Sequence, residues 1–78
     1  MRTVQVLGTG CAKCRATAQL LETVAREKGV DIRLEKVEEP QDIMRFGIMS
    51  TPGVVIDGQV VHAGGVPSRR KVEGWLHP

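Results

Sequence analysis

The chain has 78 residues, of which 41% are hydrophobic and 26% charged, and its eleven basic and nine acidic side chains leave a net charge of +2. That composition excludes disorder, and a chain this short buries only about 60% of its unfolded surface, which points to one domain over residues 1–78 with modest stability. Weak net charge and only two aromatic rings, Phe46 and Trp75, exclude a nucleic-acid footprint, and no apolar run reaches the length of a membrane span.

Met1 to Leu7 carries β-branched Thr3, Val4 and Val6 and predicts a strand. Gly8-Thr9-Gly10 then turns the chain into a helix expected over Cys11 to Lys28, with Gly29 as its stop. Cys14, Thr17, Ala18, Leu21, Val24 and Ala25 recur at helical spacing and form the inward face, while Arg15, Gln19, Glu22 and Arg26 face outward. Val30 to Glu35 alternates apolar and charged residues, so a second strand is expected there with Ile32 and Leu34 inward, parallel to the first.

Glu38-Glu39-Pro40-Gln41-Asp42 suits a helix N-terminus, and Ile43, Met44 and Phe46 are the expected apolar side of a helix of about two turns ended by Gly47. Ile48 to Pro52 is a loop leading into the strand Gly53 to Ile56. Asp57-Gly58 joins that strand to Gln59–Ala63 as a hairpin. After the turn Gly64 to Pro67, Ser68 caps a last helix with Val72, Trp75 and Leu76 on one face, and His77-Pro78 follows. The order is β-α-β-α-β-β-α, an α/β architecture with a four-stranded mixed sheet flanked by helices.

The two cysteines stand three apart at the first corner, Cys11 at the helix start and Cys14 one turn in. Unsatisfied N–H groups and the helix dipole favour a thiolate at Cys11, with Lys13 and Arg15 adding positive charge. A second thiol at this spacing can attack a mixed disulfide formed on the first. A reducing compartment makes such a pair catalytic or metal-binding in preference to structural, and the chain shows no secretory signal, so a cytoplasmic location is expected.

With the CxxC after the first strand and Thr51-Pro52 just before the third, the chain resembles the thioredoxin fold in its smallest, glutaredoxin-sized form. More narrowly it is similar to the small redox-active disulfide proteins of bacteria and archaea. The resemblance implies a thiol–disulfide oxidoreductase with Cys11 and Cys14 as the catalytic pair, a cis bond at Thr51-Pro52, and no cofactor beyond that redox-active disulfide. It also implies substrate binding by Thr51 and Pro52, a protein disulfide as substrate and an upstream thiol reductase as partner. Lys13, by its charge beside Cys11, is a further substrate-binding candidate or a solvated residue, composition argues against nucleic acid or membrane as partner, and a monomer is expected. Three features depart from the family. The CxxC interior is Ala12-Lys13, no tryptophan precedes Cys11, and the first strand carries Gln5 where thioredoxin has a buried acid.

The same loop also resembles the metal loop of small copper chaperones, in which two thiolates hold a soft ion such as Cu(I). Cys11 and Cys14 would be the ligands, and metal transfer is the alternative reading. Element order separates the two, because the copper-chaperone fold is β-α-β-β-α-β. Elsewhere, Arg69-Arg70-Lys71 puts three cations at a helix N-terminus against the dipole, as a solvated face or a partner surface. His62 and His77 are not expected to join the cysteines.

Overall fold

The computed structural model describes Met1 to His77. Its elements are β1 (Arg2–Leu7), α1 (Ala12–Lys28), β2 (Ile32–Val37), α2 (Pro40–Arg45), β3 (Gly53–Ile56), β4 (Gln59–Ala63) and α3 (Arg69–Trp75). The strands form one sheet in the order β2-β1-β3-β4, with β1 parallel to β2 and the other neighbours antiparallel.

Alternation along β1 decides how the layers pack. Val4 and Val6 point to one face, where the buried side chains of α1, together with Val72 and Leu76, close over them and over Val54. Leu7 points to the other, against Val55, Ile43 of α2 and the half-buried Val37, Phe46 and Ile48. The six inward positions expected on α1 are all buried, because one apolar stripe at helical spacing has only one way to meet the sheet.

The second strand starts two residues later than its alternation predicts, at Ile32 and not Val30. Gly29 ends α1 in the left-handed conformation, and the Val30 N–H donates to the Ala25 carbonyl at 2.9 Å. Val30 is therefore spent on the Schellman closure of α1 and is not free to enter the sheet. At its far end β2 runs on to Val37, paired with Leu7. Met44, expected on the apolar side of α2, is 73% exposed, since a six-residue helix resting on Ile43 has no room for a second contact row.

The hairpin forms as its turn chemistry requires, with φ of 50° at Asp57 and 84° at Gly58. Asp57 also receives the Thr3 N–H on its carboxylate and donates its own N–H to the Thr3 carbonyl, which ties the turn to β1. Ser68 caps α3 by accepting from the Lys71 N–H. Arg69 bonds to Glu27 of α1 and to Glu73, so the first of the three cations clamps two helices together. Arg2 holds the other end of α3 through the Trp75 and His77 carbonyls at 2.8 and 2.7 Å.

Leu21 is fully buried between α1 and the sheet. Replacing it with alanine should cost about 2–5 kcal/mol in a urea unfolding titration, whereas Met44→Ala should leave the midpoint unmoved. Equal effects of the two substitutions would contradict the layer packing described.

Candidate active site at the first corner

β1 ends at Leu7, and three residues carry the chain to the N-terminus of α1. Cys11 lies just outside the helix as its N-cap, with φ −71° and ψ 167°, and its sulfur accepts the Cys14 N–H at 3.3 Å. A thiol thus does the work that Ser or Asp usually does at this position, which is the opening of the helix one residue later than the spacing predicts. Cys11 is exposed and Cys14 is buried, with their sulfurs 2.6 Å apart in the dithiol form.

The two thiols are unequal for physical reasons. Cys11 titrates below the ordinary thiol range, first because the Cys14 side chain hydrogen-bonds to its sulfur and then because the Cys14 backbone N–H does. Cys14 titrates above it, first through burial and then because its proton is the one shared with Cys11. Deprotonation therefore begins at the exposed sulfur, with Cys14 as the donor.

Gly8 is the residue that spacing alone does not reveal. It reads as part of a flexible turn, yet its role is spatial: a Cβ there would lie 2.2 Å from the Cys14 sulfur and 3.8 Å from the Thr51 Cβ. The end of β1, the first turn of α1 and the loop before β3 therefore converge on one point. Thr51 is exposed there, Pro52 is buried, and the peptide bond between them is cis. The Gly64 N–H donates to the Pro52 carbonyl at 2.9 Å, fastening this loop to the end of the hairpin.

Lys13 is exposed on the first turn, where its carbonyl accepts the Thr17 hydroxyl. Arg15 turns back to donate to the Gly10 carbonyl at 2.7 Å, bracing the loop. Behind Cys14 lies a cavity of about 150 Å³ that also meets Lys36 and Glu38, neither of which local sequence spacing connects to the cysteines. Gln5 belongs to the opposite face and bonds to Glu35. His62 is engaged with the Gly65 carbonyl and the Trp75 ring.

The profile of the thioredoxin domain family matches residues 2–77. A thioredoxin of Methanothermobacter thermautotrophicus is 32% identical over 76 residues, covering 97% of this chain and 99% of its own. The chain belongs to the thioredoxin family. A thioredoxin of Methanocaldococcus jannaschii is likewise 32% identical over 76 residues, covering 97% of this chain and 87% of its own. Among solved structures, thioredoxin-2, described as a component of the malaria parasite protein secretion machinery, superimposes with a TM-score of 0.68. That match covers 97% of this chain and 81% of the other at 16% identity, and it shows the shared thioredoxin fold.

Family and CxxC pair together make this thioredoxin-like chain a thiol–disulfide oxidoreductase. The copper-chaperone alternative is not supported: α2 stands between the second and third strands, where that fold has none. Among the described residues no three His, Cys, Asp or Glu side chains gather as a metal set, and no helix is long and apolar enough to cross a membrane.

Alkylation rates measured residue by residue against pH should show Cys11 reacting with a midpoint below that of a free thiol and Cys14 with one above it. Cys14→Ala removes the strongest influence on Cys11 and should move that midpoint up, and Gly8→Ala should do the same by forcing the Cys14 sulfur away. An unmoved Cys11 midpoint in both variants would show that the Cys14 contact does not set its acidity.

Proposed function

We propose that the chain, working as a single monomeric domain in the cytoplasm, reduces disulfides in protein substrates and is recharged by a thiol reductase. The observation that carries this reading is the asymmetry of the pair: an exposed sulfur of lowered pKa at a helix N-cap, with a buried, proton-bearing sulfur in contact behind it. Cys11 attacks one sulfur of the substrate disulfide as a thiolate, and the other substrate sulfur leaves. Cys14 then attacks Cys11, forming the intramolecular disulfide and releasing the second substrate sulfur. Two electrons pass from the pair to the substrate.

Exposed Thr51, beside Gly8 and so near the Cys14 sulfur, supports a substrate-binding role. Pro52 contributes by holding that loop against the hairpin through its carbonyl. Lys13, exposed beside Cys11, supplies a positive charge at the docking surface. The pair itself carries the electrons, so the reading requires no further cofactor.

Reduction of insulin disulfides, with dithiothreitol recharging the protein, is the direct test. Cys11→Ser should abolish turnover. Cys14→Ser should retain the first attack and accumulate a mixed disulfide, visible as added mass on Cys11. Full activity in the Cys11→Ser protein would overturn the assignment.

A further inference from the structure

Between β4 and α3 the chain passes through Gly64 and Gly65, both in the left-handed region with φ of 90° and 73°. Glycine loses more conformational freedom on folding than any other residue, so two in a row fix a turn only when something outside it ties them down. Two hydrogen bonds do so. The Gly64 N–H donates to the Pro52 carbonyl at 2.9 Å, and His62 Nε2 lies 3.0 Å from the Gly65 carbonyl oxygen. A carbonyl only accepts, so Nε2 carries the hydrogen in this contact and donates it.

The His62 ring is itself held for that bond. Its backbone pairs with Val54 in the hairpin, and its half-buried ring meets the Trp75 ring at 5.9 Å between centroids, tilted by 54°. Trp75 closes α3, where the Arg2 guanidinium donates to its carbonyl. On its other side the turn reaches the redox corner. A Cβ on Gly64 would lie 3.2 Å from the Ser50 Cβ, and the next residue, Thr51, is the one that approaches Gly8 beside the Cys14 sulfur. Contacts therefore run from Trp75 through His62, the two glycines and Pro52 to the loop at the site.

Resting on the redox reading above, we propose that His62 is a positioning residue for the reaction at Cys11: its bond to Gly65 fixes the glycine turn, and the turn holds the Ser50-Thr51-Pro52 loop in place for a docking protein disulfide. His62 bonds to the turn and not to the sulfurs, so it acts on substrate affinity and leaves the thiol chemistry alone. Without its bond the turn samples other conformations, and the Gly64 tie to Pro52 is made for only part of the time. Substrate must then order the loop as it binds, at a cost in affinity.

Amide exchange and insulin-reduction kinetics on the full-length protein test this together. His62→Leu removes the donor and keeps an apolar side chain, whereas His62→Gln places an amide Nε2 where the ring Nε2 lies. In His62→Leu the Gly64 N–H should exchange about ten-fold faster, while the amides of β3, which is paired on both edges, keep their rates. The KM for insulin should rise by about three-fold or more, with kcat and the Cys11 alkylation midpoint unchanged. His62→Gln should return both the exchange rate and KM to wild-type values. Should the leucine variant not fold, His62→Asn, whose amide falls one bond short of Gly65, provides the same comparison.

Wild-type exchange at Gly64 or an unmoved KM in His62→Leu would overturn the proposal, as would a glutamine variant that behaves like the leucine one. A shifted Cys11 midpoint or a general rise in β3 exchange would also overturn it, by showing lost packing in place of a lost tie. Failure of the redox reading is distinguishable. It would appear as no Cys11-dependent insulin reduction in the wild-type protein, while exchange at Gly64 still reports on the His62 bond.

Discussion

The contact between the buried Cys14 sulfur and the exposed Cys11 sulfur is the interaction on which the remaining site geometry depends. It gives one thiol a donor and the other an acceptor, and so separates two groups of the same chemistry into an acidic one and a proton-bearing one. The contact exists only because the chain, just after β1, places a residue without a side chain where Cys14 sits. Any Cβ at Gly8 would occupy the position of that sulfur.

The fold is arranged to hold this corner still. Leu7 and Val6 point to opposite layers, so the last residues of β1 are gripped by both cores before the chain turns. α1 is fixed by its buried stripe and by the Arg69 clamp to α3, which accounts for one of the three cations that its helix N-terminus disfavours. The loop before β3 reaches the same point through Thr51 and is tied to the hairpin by the Pro52 carbonyl. Two adjoining segments and one far from them in sequence thus share one small volume, beside the cavity edged by Lys36 and Glu38.

Much of this was legible beforehand because it is local. The inward stripe of α1, the Asp57-Gly58 hairpin and the cap at Ser68 follow from spacing and turn chemistry within a few residues, and each forms where those rules put it. The errors arise where a residue had two possible uses. Val30 fits a strand by alternation but closes α1, and Met44 fits an apolar side but lies beyond the reach of a short helix with one buried contact. Gly8 reads as a turn residue because a requirement for empty space leaves no trace in neighbouring residues. Lys36 and Glu38 meet Cys14 only through the parallel pairing of β1 with β2, which brings together positions more than twenty apart.

A thiol–disulfide titration of the metal-free protein across dithiol buffers, with free Cys11 and Cys14 counted by alkylation and mass, tests most directly whether this contact is a reversible redox switch. A single two-electron transition within the span of about −270 to −180 mV that separates thioredoxin from disulfide isomerase is the predicted result. Two cysteines that stay reduced across the whole series, or that oxidise only between molecules, would contradict it.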